Sequence, residues 1–238
     1  MTSELHEAIE QLYRVFAKYP ADPNMDGSPM YHDLSQWNQA LLAKPLHKLS
    51  IEEDLLGYYF KAMITWGGVA DFKHFLPRIF ELLTTLPTGI DENVALGKLT
   101  YGKYETWPAS EQAAIHQFLL AFWQMLLSEA SDWIDTFSAD YFPAIANVYP
   151  DFNQLLQLWT AAENQEAAQR LAWFVCRHTK QLLKKRVFPR ATKSELLGRL
   201  FLEWLHTPAA VAKLKRAVPD ESAPYLNFEL DPIIKELE

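Results

Sequence analysis

The 238-residue chain has one cysteine, Cys176. A single thiol cannot close an internal disulfide and cannot furnish a cysteine-based zinc cluster. A reducing compartment is its natural home. Glycine is scarce, at 8 residues, which leaves little for the tight turns that hairpins need. Long apolar runs are missing too. The longest, Phe118 to Leu127, is broken by Gln124 and falls short of the roughly 18 apolar residues that span a bilayer. The first residues, MTSELHEAIE, are acidic and amphipathic and hold no signal-peptide core. These absences predict a cytoplasmic protein with no membrane partner.

Catalytic signatures are equally sparse. Neither G-x-G-x-x-G nor a complete phosphate-loop motif ending in Lys and Ser or Thr occurs. The nucleophile spacings G-x-S-x-G and S-x-x-K are absent, as is H-E-x-x-H. Cys176 and His178 are two residues apart, on different faces of a helix, and the apolar context LAWFVCRHTKQLL makes Cys176 a buried filler. Asp71 and His74 could present two metal ligands one turn apart, but a site needs a third and fourth, and none is identifiable. Asp71 then reads as a helix N-cap and His74 as a partly exposed histidine. The acids Glu52, Glu53 and Asp54 fit the first turn of a helix, where the dipole favours them. No catalytic residue, metal or cofactor is assigned, and the expectation leans away from an enzyme.

What is present is helical periodicity. Leu5, Ile9, Leu12, Tyr13 and Phe16 recur at spacings of three and four, and Pro20 ends that pattern. Residues 20 to 33, PADPNMDGSPMYHD, form a turn-rich connector, followed by a short helix from Asp33 to Ala43. Ser50-Ile-Glu-Glu53 is a capping box opening a helix with Leu55, Leu56, Tyr59, Phe60, Met63 and Ile64 on its face. Gly67-Gly68 stops that helix. The next begins at Asp71, buries Phe72, Phe75, Leu76, Ile79, Phe80 and Leu83, and exposes Lys73, His74, Arg78 and Glu81, of which Lys73, His74 and Arg78 are candidate binding residues. Trp66 and Phe72 pack the corner between the two helices. Pro77 either kinks this helix or starts a new one, and FLPRI (Phe75 to Ile79) is echoed by YFPAI (Tyr141 to Ile145). Further helices are expected at about 91–102, 109–129, 143–149, 151–162, 164–186, 192–206 and 208–217.

The fold class is therefore all-α. Helix-pair starts near 50, 91, 131 and 165 are spaced by about 35 to 40 residues, close to the period of HEAT and armadillo repeats. The chain resembles HEAT repeats in that rhythm and in the proline of a pair's first helix. An irregular multi-helix bundle fits the same pattern. One domain is expected over 1–238, comprising an N-terminal helix and connector (1–49), a helical array (50–217) and a C-terminal tail (218–238).

Charge is unevenly placed. The net charge is −8, yet Arg170 to Arg216 holds 12 basic residues against two acidic ones, a local +10. Within it, Arg177, Lys180, Lys184, Lys185, Arg186, Arg190 and Lys193 crowd one short segment. Such a cluster suits phosphate recognition or an acidic protein partner, and it also suits a solvated helix C-terminus. Eight tryptophans, at 37, 66, 107, 123, 133, 159, 173 and 204, are core candidates, with one or two available to line a peptide groove.

Three stretches, Pro45 to Gly67, DFKHFLPRIFELL and WPASEQAAI (Trp107 to Ile115), resemble a group of uncharacterised bacterial helical proteins. The resemblance covers roughly residues 40 to 125 and implies an all-helical fold without implying an activity. Some members carry a Cys-Pro-Cys-type element in the connector after the first helix, where this chain has no cysteine. The function expected is a non-catalytic, protein-binding helical scaffold of a regulatory or immunity type. The alternatives are a nucleic-acid-binding protein using 177–193 and a metal enzyme around Asp71 and His74. Oligomeric state is left open.

Overall fold

The structure, a computed structural model, describes residues 2–86, 89–129, 132–217 and 224–237, with the side chains of 132–139 and 224–229 left aside. Among the described residues all regular elements are helical, as expected for an all-α chain: twelve α-helices with short 3-10 and π turns between them, and no strand. No helix there is long and apolar enough to cross a membrane. The chain divides into two compact units, Met1–Phe122 and Trp123–Glu238.

The first unit opens with α1 (Ser3–Phe16), whose Thr2 hydroxyl accepts the Leu5 N–H as an N-cap. The periodic residues Leu5, Ile9, Leu12 and Phe16 are buried, and α1 packs on α4 (Val69–Leu83). Between them lie the connector, α2 (Leu34–Leu42), a 3-10 turn Leu46–Lys48, a π turn Ile51–Leu55 and α3 (Leu56–Lys61). Then follow α5 (Glu92–Tyr101), a 3-10 turn Tyr104–Thr106 and α6 (Ala109–Ser128), within which the division between the units falls.

Two details depart from expectation here. The Ser50 hydroxyl caps the Glu53 N–H, but the side chain reaching back to Ser50 N belongs to Asp54, at 2.8 Å. A π turn closes i to i+5 bonds, such as Leu55 N–H to Ser50 O, and the wider ring brings the fourth residue, not the third, over the cap. The helix then ends at Lys61, short of the glycine pair. Its buried stripe is Leu55, Tyr58, Tyr59 and Ala62, so Leu56, Phe60 and Ile64, expected inside, are exposed.

The corner at Ala62 to Gly68 is laced to the connector. Gly67 N–H donates to Asp26 O at 2.6 Å, Ser28 N–H donates to Thr65 O at 2.8 Å, and the Tyr31 and Thr65 hydroxyls meet at 2.8 Å. Gly67 has φ +68°, which only glycine adopts without cost. Beyond it, Gly68 rather than Asp71 is the cap of α4; Asp71 sits in the first turn and its carboxylate accepts the Gly68 N–H at 2.7 Å. Pro77 is buried inside a continuous α4 and starts no new helix.

The second unit holds α7 (Asp132–Val148), α8 (Phe152–Ala161), α9 (Gln165–Thr179), a π turn Lys180–Lys184, α10 (Ser194–Leu205), α11 (Pro208–Arg216) and α12 (Pro224–Leu237). Its core is aromatic. Phe142, from the YFPAI echo, touches Trp123 and Trp159 at 4.8 Å between ring centroids and Phe174 and Phe188 at 5.2 and 5.3 Å. Pro143 lies inside α7, not at the start of a helix. The pair start expected near 131 falls outside the described residues. The tail expected over 218–238 includes α12, whose Leu230, Ile233 and Leu237 are buried and which packs on α9 and α11; positions 218–223 and 238 lie outside the described residues.

Two helical glycines give opposite predictions. A Cβ at Gly97 in α5 meets nothing within 4 Å, so Gly97→Ala should stabilise the protein by about 0.5–1 kcal/mol through helix propensity. A Cβ at Gly198 in α10 would lie 2.6 Å from Arg186 O and 2.8 Å from Val187 Cα, both backbone atoms that cannot swing aside. Gly198→Ala should therefore destabilise it by about 1–3 kcal/mol. Thermal or urea unfolding of the two variants checks both signs.

Candidate functional site

The face of α4 proposed as exposed is largely turned inward. Lys73 is buried, with its ammonium 2.7 Å from Glu111 Oε2, 3.0 Å from the Tyr19 hydroxyl and 4.1 Å from the centre of the Trp107 ring. Glu111 is fully buried, and its other oxygen takes the Lys18 ammonium and the Tyr19 hydroxyl, each at 2.6 Å. Burial pushes the Glu111 carboxyl up, but hydrogen bonds from Lys18, Lys73 and Tyr19 outweigh it and hold the carboxyl below its ordinary value. Lys73 faces inward because a carboxylate and two aromatic faces await it there. His74 is half-buried; its Nδ1 is 3.0 Å from Tyr19 O. A carbonyl only accepts, so Nδ1 carries the proton. Arg78 donates from Nε to Leu49 O and ion-pairs with Glu81, both at 2.7 Å. These three residues tie the connector, α4 and the 3-10 turn together.

Glu111 is the residue that sequence reasoning passed over. It stands in the first turn of α6, where an acid needs no explanation beyond the helix dipole. Only its partner 38 positions earlier, visible in the fold, gives it a second role.

Around the proposed metal pair, Asp71 is engaged as a cap and His74 with Tyr19. Among the described residues no group of three or more His, Cys, Asp or Glu is placed to hold a metal ion. Gly97 to Lys103, GKLTYGK, matches a phosphate loop as far as its lysine, but Tyr104 follows where Ser or Thr is needed. The stretch is the C-terminal part of α5 with its cap Gly102 and the following Lys103, and not a loop between a strand and a helix. Cys176 is half-buried and not a closed-off filler.

The basic segment is built on a fixed loop. The Lys180–Lys184 π turn ends in a bond from Val187 N–H to Gln181 O at 2.9 Å, with Arg186 in the left-handed region at φ +55°. Phe188 N–H donates to Ser194 O, and the Ser194 hydroxyl donates to Phe188 O at 2.6 Å. Asn147 on α7 donates to Arg190 O at 2.8 Å and accepts the Thr192 N–H at 2.9 Å. Phe188 is buried among the core rings, and Gly198 admits the loop backbone to α10. Arg177 and Arg190 converge on Asp140, at 3.4 and 3.1 Å. Lys180, Lys184, Lys185, Arg186 and Lys193 are exposed and have no ion pair or hydrogen-bonded side-chain partner among the described residues. Two other cations of the +10 stretch are consumed inside the fold: Arg170 donates to Glu129 O and Lys213 to Ala162 O, and both are buried.

Of the tryptophans, 66, 107, 123 and 159 are buried and 37, 173 and 204 half-buried; the side chain of Trp133 lies outside the description. Trp37 and Trp66 line a surface cavity of about 260 Å³. No protein-family model matches the chain, and no curated protein or solved structure matches it.

The buried cluster yields a prediction. Glu111→Ala would leave the Lys73 ammonium buried without a counter-charge, at a cost of about 3–5 kcal/mol; Lys18→Ala, at the exposed end, should cost far less. Because the folded carboxyl titrates below its ordinary 4.5, its contribution is complete above that pH and fades as pH falls through the lower folded value. Urea midpoints of wild type and Glu111→Ala should converge as the medium is acidified below about 4.5.

Proposed function

We propose that the protein is a non-catalytic, cytoplasmic binding scaffold that docks an acidic protein through the loop following α9. The supporting observation is the set of five exposed cations, Lys180, Lys184, Lys185, Arg186 and Lys193, that lack acidic partners among the described residues. They ride on backbone that is hydrogen-bonded to α7, to the Lys180–Lys184 π turn and to α10. Cations carried on fixed backbone are a better docking surface than cations on a floppy loop, because less loop freedom is lost on association. The chain as a whole is acidic, at −8. A long polyanion would meet repulsion from the rest of the surface, whereas a compact acidic patch on a protein can address the loop alone.

Nucleic acid is the second reading, favoured by the same cluster with Arg177 and Arg190 beside it. One experiment separates the two. Wild-type protein and a variant with Lys180, Lys184, Lys185 and Lys193 changed to Gln are used to capture partners from a lysate of the source cells, and each eluate is assayed for protein and nucleic acid. The proposal expects an acidic protein that washes off with salt and whose recovery falls about tenfold or more with the variant. Nuclease-sensitive material alone would transfer the loop to the second reading. Identical eluates from both proteins would remove the loop from either role.

A further inference from the structure

The cavity beside the corner carries features that packing does not require. It is lined by Trp37, Leu41, Asp54, Gly57, Lys61 and Trp66, with Ala40 and Glu53 completing it. Its aromatic walls are fixed. The two indoles stand 5.4 Å apart at 48°, Trp66 Nε1 donates to Asn38 Oδ1 at 2.8 Å, and buried Asn38 donates to Met25 O at 2.9 Å. Tyr31 backs Trp37 at 5.0 Å. Its floor is open: a Cβ added at Gly57 would meet only Lys61 Nζ, at 3.7 Å.

The charges in the cavity are unequally satisfied. Both Asp54 oxygens bind Lys44, at 2.9 and 3.0 Å, and Oδ2 also takes the Ser50 N–H and hydroxyl. Glu53 shares the same lysine at 3.2 Å and projects into water, with 77% of its side chain exposed. Lys61 is different. Its ammonium has one hydrogen bond, to Gly57 O at 3.2 Å, and lies 5.9 Å from the centre of the Trp37 ring. An ammonium has three donors, so two remain for a guest beside an indole wall.

We propose that this cavity binds an organic carboxylate with a flat apolar body, the carboxylate on Lys61 and the ring against Trp37. Such chemistry is shared by small aryl acids and by the C-terminal carboxylate of a peptide ending in an aromatic residue. The site is independent of the basic loop.

The test is calorimetric titration of the full chain with phenylacetate, with phenethylamine as the cationic counterpart, and with an acetylated tripeptide ending in a free phenylalanine carboxylate. A carboxylate of this size should bind with a dissociation constant of about 0.1–1 mM, and phenethylamine should not bind. Lys61→Gln should weaken binding about tenfold or more, and Gly57→Leu, which places a side chain in the open floor of an exposed helical position, should abolish it with thermal stability retained. Stronger binding of the tripeptide would assign the site to chain ends, and stronger binding of phenylacetate to small acids. Binding of phenethylamine in preference to both acids, unchanged affinity in Lys61→Gln or Gly57→Leu, or no heat with any of the three would overturn the proposal.

Discussion

Twelve helices among the described residues mean many helix C-termini, and each leaves backbone carbonyls without intrahelical partners. In this protein buried cations satisfy several of them. Lys98 donates to Phe60 O at 2.9 Å and Ala62 O at 2.7 Å, closing the end of α3. Lys213 closes α8 at Ala162, and Arg170 reaches Glu129 just past α6. Burial pushes the ammonium groups of Lys98 and Lys213 down from their ordinary range, with repulsion from Arg216 adding to it at Lys213. The carbonyls at helix ends carry partial negative charge and offset the desolvation. Lys73 follows the same logic with a carboxylate as its acceptor.

That constraint decides what the surface can do. Cations used at helix ends are unavailable to a partner, and those left over are concentrated on the loop after α9. The loop cannot drift, because Phe188 anchors it in the aromatic core and Gly198 lets α10 lie directly against its backbone. Position and charge thus come from separate residues: apolar and small ones place the loop, and basic ones decorate it.

Much of this was legible beforehand. Spacings of three and four located α1, α4, α5, α6 and α8 to α11 to within a few residues, because amphipathic stripes report burial directly. Local chemistry was harder. At Ser50 the capping residue was recognisable, but the π turn that hands the return contact to Asp54 leaves no signature in the sequence. The same turn fixes which of two adjacent apolar stripes on α3 is buried. At Lys73 and Glu111, two ordinary surface-type residues become one buried pair only after α4 and α6 come together. A run of Leu230, Ile233 and Leu237 at helical spacing was available to announce α12, yet the prolines at 224 and 232 disguised it.

The outward stripe of α3 has a consequence for how the molecules behave in crowded solution. Leu56 and Phe60 stand in water one turn apart on α3, Ile64 is exposed beyond the end of that helix, and the stretch before them holds Glu52, Glu53 and Asp54. The exposed Glu52 and Glu53 keep like molecules apart while they are ionised. In an acidic or concentrated brine, where that repulsion is titrated or screened, the exposed Leu56 and Phe60 become a patch on which neighbouring molecules can cohere.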